Sequence, residues 1–303
     1  MQTALEYVVQ KIGAEDPLHG KKIKKNLKTF DESFNNRANL FLNSYQNMLK
    51  EDGYDLDFAI KCYLKMIADV NFESVQFLNT GKYTSVSFEE VNERVYSNPE
   101  VMEYYMHGLL LSQFLWKQHN DILIFFNKII KKNCHAIKNY LEVGGGHGLY
   151  ISEAISLTRQ KATYDLVDIS KVSLGIAKRL INNEKVNYIH SDIFEYHKEK
   201  KYDFITMGEV LEHVEDPIGL LKQLYRLLKD DGKVFITTPT NAPAIDHIYL
   251  FKNVDDIRQV IKSANFNIEK ELCISSEDIS NEMAEQLKVS IMYGALLTKN
   301  KKN

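Results

Sequence analysis

The chain has 303 residues, with 38 basic and 41 acidic side chains and a formal net charge of −3. Hydrophobic residues at 44% and charged residues at 26% exclude a disordered or fibrous chain, and the near-balanced charge excludes the global basic field of a dedicated nucleic-acid binder. Three distant cysteines, Cys62, Cys134 and Cys273, form no CxxC pair, which excludes a disulfide framework and a thiolate zinc site.

The length predicts two domains by the rough prior of about 100–200 residues each. The opening residues lack a basic-then-apolar leader pattern. No run approaches the roughly 18 uncharged apolar residues of a membrane span. The expectation is a cytoplasmic protein with no membrane partner. Residues 1–136 read as helical. Phe30, Phe34, Ala38, Leu42 and Tyr45 recur at spacings of three and four, as do Ile60, Tyr63, Leu64 and Ile67. Asn98 followed by Pro99 marks a helix start, with Glu100 and Glu103 in the first turn. The mostly apolar stretch 101–130 reads as one long helix or two, packed on both sides. Lys21-Lys22-Ile23-Lys24-Lys25 reads as a solvated helix face.

The pattern changes near residue 138. Strands are predicted at 139–143, 162–168, 186–192, 202–208 and 232–239. Helices are predicted over Leu149–Leu157, Val172–Asn182, Pro217–Leu228 and Val254–Ala264, and two late strands at 267–274 and 287–298. Such alternation predicts a doubly wound, mostly parallel sheet with its ligand crevice beyond the carboxyl ends of the strands.

The first strand runs into Gly144-Gly145-Gly146-His147-Gly148. Bare backbone permits a tight turn and close approach of a ligand. Asp168 ends the second strand, where a carboxylate can accept from ribose hydroxyls. Asp192 ends the third and can reach an adenine amino group, with Ile193 against the ring. Met207-Gly208-Glu209 closes the fourth. Either Asp alone reads equally as a turn or helix cap; their recurrence at successive strand ends favours a site.

Together, LEVGGGHG, YDLVDIS, HSDIFE, YDFITMGEVLEHVEDP and DGKVFITTPTN resemble the class I S-adenosylmethionine-dependent methyltransferases. The resemblance covers 137–303. It implies an α/β, Rossmann-like seven-stranded catalytic domain at 137–303, preceded by an all-helical domain at 1–136 that serves as a lid, substrate or dimerisation domain. It implies S-adenosyl-L-methionine as cofactor, with Glu142, Gly144, Gly145, Gly146 and Gly148 along the methionine moiety. Asp168 and Ile169 are then expected at the ribose, Asp192 and Ile193 at the adenine, and Gly208 in the same cradle. His147 departs from the usual loop residue and is expected to be exposed.

Glu209-Val210-Leu211-Glu212-His213, if helical, sets Glu209, Glu212 and His213 at i, i+3 and i+4 on one side. His247 lies after the fifth strand, at the same sheet edge, with Asp246 as a spare ligand. An ExxEH segment with a downstream His is similar to the catechol-type O-methyltransferases of ubiquinone synthesis and the small-RNA 2′-O-methyltransferases. That similarity implies Mg²⁺, Mn²⁺, Fe²⁺ or Zn²⁺ bound by Glu209, Glu212, His213 and His247. The same LEHVEDP run also fits a metal-free pocket mouth.

His213 and His247 are the leading candidates for catalytic base. Tyr104, Tyr105, His107, Trp116, His119 and Tyr249 are candidate acceptor contacts, with Gln113 and Phe251 nearby; most of those in the 101–130 run read first as core or domain-interface residues. The first expectation is O-methylation of a small-molecule acceptor, assisted by the metal. The alternatives are metal-independent C- or N-methylation and a cofactor-binding partner subunit without turnover. The acidic balance argues against a nucleic-acid acceptor. The apolar 101–130 run could also serve a homodimer.

Overall fold

The computed structural model describes residues 2–158, 162–197 and 201–300. Its first part is helical: α1 (Ala4–Glu15), α2 (Pro17–Leu27), α3 (Glu32–Glu51), α4 (Leu56–Thr80) and α5 (Phe88–Val91), then a π-helical turn (Asn92–Tyr96), α6 (Pro99–Leu115) and α7 (Lys117–Asn133). Short polar residues start these helices by accepting from the first free N–H groups. Thr3 does so within a capping box with Glu6, Asp31 and Asp55 start α3 and α4, and Asn98 before Pro99 starts α6. The 101–130 run is two helices. Trp116 breaks it in an extended conformation (φ −103°, ψ 129°), and its indole N–H donates to the Tyr63 hydroxyl at 2.9 Å. No helix among the described residues is long and apolar enough to cross a membrane.

Seven strands follow: β1 (Asn139–Val143), β2 (Thr163–Asp168), β3 (Val186–His190), β4 (Tyr202–Gly208), β5 (Leu228–Thr240), β6 (Phe266–Ser275) and β7 (Ile291–Lys299). The sheet order is β3-β2-β1-β4-β5-β7-β6. The first five strands are parallel, and β7 lies antiparallel between β5 and β6. Helices α8 (Leu149–Leu157), α9 (Lys171–Ile181), α10 (Pro217–Leu227) and α11 (Val254–Ser263) connect them. A short helix, α12 (Asn281–Gln286), occupies ground expected to be loop; its six residues hold too few turns to show a period.

Residues alternate between the two faces of the sheet. Tyr140, Tyr164, Phe204 and Phe235 join one apolar cluster with Phe34, Tyr63, Met106 and Phe126 of the helical part. Their strand neighbours Leu141, Ile205 and Ile236 join a second cluster with Leu220, Leu224 and Ile257 of α10 and α11. The helices before residue 136 thus share their core with one face of the sheet. The chain crosses to the opposite side between β1 and β4, and the switch point opens a crevice at their carboxyl ends.

Candidate active site

That crevice is a cavity of about 470 Å³, within the roughly 300–1,000 Å³ of small-molecule sites. Its floor is the turn after β1. Gly144, Gly146 and Gly148 all have positive φ (61°, 51° and 73°), where an L side chain is strained. A Cβ on Gly146 would meet Met106 Cε at 3.2 Å, so α6 roofs this turn directly. Asp168, buried at the end of β2, braces the loop: Oδ2 accepts from the Gly146 N–H at 2.9 Å and Oδ1 from Ser170 N–H at 2.8 Å. Burial raises its pKa. Each oxygen keeps capacity for a second donor. Glu142 is also buried and lines the cavity. Its Oε2 has no partner, and burial lifts its pKa well above the carboxylate range.

Ile169, Asp192, Ile193, Gly145 and Gly208 line the same cavity. Of the expected cofactor set only Gly148 does not. A Cβ there would lie 2.6 Å from Ile181 Cδ1, so this glycine serves the packing of the loop against α9. His147 is half-buried on the cavity wall rather than exposed. Its Nδ1 accepts from the Leu149 N–H at 3.3 Å, and burial lowers its pKa to about 4.

The ExxEH segment is not one helical face. Glu209 sits at φ 54°, and Leu211–His213 forms a single 3-10 turn. Glu212, His213 and His247 nevertheless converge, each offering a ligand atom, all within 4.8 Å of one another. Backbone pairing brings them together: the Ile248 and Tyr249 N–H groups donate to the Glu212 carbonyl at 2.8 and 2.9 Å. Glu212 is fully buried. Oε2 accepts from the Thr238 hydroxyl at 2.8 Å, Oε1 has no hydrogen-bond partner, and burial pushes the group to about 7. His213 Nδ1 donates to the Asp246 carbonyl at 3.0 Å, with the Tyr96 hydroxyl 2.9 Å away. Burial works against protonation of this ring, but the Asp246 and Glu212 carboxylates outweigh it and raise its pKa. His247 Nδ1 donates to the Ala242 carbonyl, and burial holds it near 4, hence neutral. With both Nδ1 atoms committed to carbonyls, each ring presents its Nε2 lone pair, the tautomer a ligand needs. Glu209 stands apart from this group. Its Oε1 lies 3.8 Å from His119 Nε2, though it shares the cavity wall.

Most of the expected acceptor contacts lie elsewhere. The Tyr104 hydroxyl donates to Asp69 at 2.7 Å. His107 pairs with Tyr45 in the helical core. Trp116 is tied to Tyr63, His119 sits behind the wall against Ser112 and Gln113, and Tyr249 packs on Phe251. Tyr105 alone of the set lines the cavity, donating to Asp246 Oδ1 at 3.1 Å. The wall instead holds Met102, Met106, Leu109 and Gln113, one face of α6 at spacings of four, three and four, together with Phe88 and Tyr96. Spacing did not single out the α6 stripe, because that helix is apolar on nearly every side. Nothing in the sequence marked Tyr96, which sits on the π turn.

The family model described as a methyltransferase domain matches residues 117–271. The mitochondrial ubiquinone biosynthesis O-methyltransferase of Schizosaccharomyces pombe is 26% identical over 181 residues, 58% of this chain and 64% of that protein. Malonyl-[acyl-carrier protein] O-methyltransferase 1 of Ilyobacter polytropus is 31% identical over 144 residues, 43% of this chain and 53% of that one. The chain thus spans between about half and two thirds of the length of these curated relatives. Among solved structures, mitomycin 7-O-methyltransferase MmcR superposes with a TM-score of 0.51 at 10% identity, over 76% of this chain and 67% of that one; the likeness is one of fold.

Proposed function

The chain belongs to the methyltransferase domain family, and on that premise we propose that it moves the methyl group of S-adenosylmethionine to a hydroxyl oxygen of a small molecule, with a divalent ion held by Glu212, His213 and His247. One observation carries this reading: two imidazoles with Nε2 free line the cavity that also holds the glycine turn, and the unpartnered oxygen of the buried Glu212 lies with them, the three ligand atoms within 4.8 Å of one another. A donor set of two nitrogens and a carboxylate suits a borderline divalent cation.

In this reading the methionine moiety lies along Gly144–Gly146, and the orphaned Glu142 oxygen receives its ammonium group. Asp168 takes the ribose hydroxyls, and Asp192 with Ile193 takes the adenine. The ion would supply positive charge that lowers the acceptor hydroxyl's pKa and fixes vicinal oxygens. Glu209, apart from these three on the same wall, is left on the acceptor side. Thr238 holds Glu212, and Asp246 and Tyr96 hold His213, so that the ligands do not reorganise. Both histidines are then ligands rather than bases, since only Nε2 is left on each. Met102, Met106 and Leu109 keep water from the line of displacement. Residues 1–136 act as the cover of the acceptor side.

A second reading, transfer without a metal, draws on the His213–Asp246 pair. The Asp246 Oδ2 lies 3.4 Å from Nδ1 of a ring whose pKa is raised, which is the arrangement of a general base. Chelation separates the two. Methyl transfer from labelled S-adenosylmethionine to a catechol falls to background after dialysis against a chelator and returns with a divalent ion under the first reading. Full activity after exhaustive chelation leaves only the second.

A further inference from the structure

We infer that the acceptor is an aromatic alcohol whose remaining substituents are neutral or cationic, and that carboxylate- or phosphate-bearing acceptors are excluded. The inference rests on the reading above and adds the acceptor's charge class. The cavity wall carries seven carboxylates, from Glu142 to Asp246, and among the described residues no lysine or arginine.

The seven divide by position. Glu142, Asp168 and Asp192 belong to the cofactor end, and Asp246 stands behind His213. Glu209, Glu215 and Asp216 remain on the acceptor side, the last two exposed at the rim. Glu215 Oε1 accepts from the Phe88 N–H at 3.0 Å, which ties it to the aromatic side of the wall. The N-terminus of α10, which could otherwise attract an anion, is already capped by Asp216 at the Gly219 N–H. Arg94, on the π turn beside Tyr96, is no counterion for a substrate either. Its guanidinium is spent on Glu90, Ser85 and the Ile245 carbonyl, and it is not part of the wall. With the ion engaged by the acceptor hydroxyls, an anionic substituent would enter among like charges, and among the described residues no cationic side chain of the wall would pair it. An ammonium would meet Glu215 and Asp216. The apolar remainder of the wall, Phe88, Tyr96, Met102, Tyr105, Met106 and Leu109, suits a ring. Discrimination of this kind works by repulsion of the wrong ligand as much as by attraction of the right one.

The test uses three catechols that differ only in one side chain para to a hydroxyl: ethyl, aminoethyl and propionate. Each is titrated calorimetrically into the full chain saturated with S-adenosylhomocysteine and a divalent ion, and each is separately offered as a methyl acceptor. The expected order is aminoethyl at least as tight as ethyl, and propionate about tenfold or more weaker than ethyl. Glu215→Gln, which can still accept from Phe88, narrows that gap, and Glu215→Lys selectively improves the propionate. Propionate binding within about threefold of ethyl overturns the inference, as does an absence of binding by both the ethyl and aminoethyl compounds. Binding in the expected order without methyl transfer upholds the charge class and sinks the O-methylation reading instead.

Discussion

Glu212 shows what the site asks of a single residue. A carboxylate with no exposed surface, bonded through one oxygen and unpartnered at the other, is unfavourable unless something completes it. Its pKa in the fold is pushed to about 7 from an ordinary 4.5. A raised folded-state value means that its contribution to stability is whole below the unfolded pKa and is lost as pH rises through about 7, here about 3 kcal/mol at roughly 1.4 kcal/mol per unit. The metal-free Glu212→Gln variant should therefore melt above the metal-free wild type at about pH 8 and show no rise in Tm on adding a divalent ion, where the wild type does. His107 runs the other way. Burial beside Tyr45 lowers it from 6.5 to about 4, so its stabilising contribution is complete above the unfolded value and is lost as pH falls through about 4. In His107→Gln, the slope of unfolding free energy against pH between those values should flatten, as read by urea denaturation at a series of pH values. At this scale the residues next to predicted strand ends were legible: Asp168, Asp192, Glu212, His213 and His247 each follow a strand or its turn. Tyr104 was not, because α6 is apolar on nearly every side and offers no polar face to say which way it points.

Among the elements, the turn from β1 into α8 matters most. Its three positive-φ glycines divide the work: Gly144 and Gly146 present backbone to the cavity, and Gly148 lets α9 close on the loop. Gly148→Ala should lose stability through both left-handed strain, roughly 1–2 kcal/mol, and overpacking against Ile181, roughly 1–3 kcal/mol. Chemical denaturation should show the loss, while S-adenosylhomocysteine affinity of the folded protein stays near that of the wild type. The strands of the parallel part were legible because buried β-branched and aromatic runs alternate with helical ones. The 3-10 turn at Leu211–His213 was not: an ExxEH spacing is compatible with a helix, and the left-handed Glu209 that prevents one leaves no mark in the sequence. The convergence of Glu212, His213 and His247 instead comes from backbone bonds between residues 36 and 37 positions apart, Glu212 with Ile248 and Tyr249, which no local pattern announces.

Across the whole molecule, the helical part and the sheet meet over the loop that carries His247. The Tyr83 hydroxyl accepts from the Ala242 N–H, Arg94 and Ser85 hold the Ile245 carbonyl, and Tyr105 donates to Asp246. The helical part that borders the cavity is therefore also the support of the loop carrying His247, and α6 comes close to the glycine turn through Met106. All of this takes its meaning from the donor lying on that turn. Calorimetric titration with S-adenosylhomocysteine measures it directly. One binding event per chain is predicted, weakened about tenfold or more in Asp168→Ala, which removes the brace on Gly146 and the carboxylate proposed for the ribose. No binding to the wild-type protein, or unchanged affinity in the variant, would contradict the account.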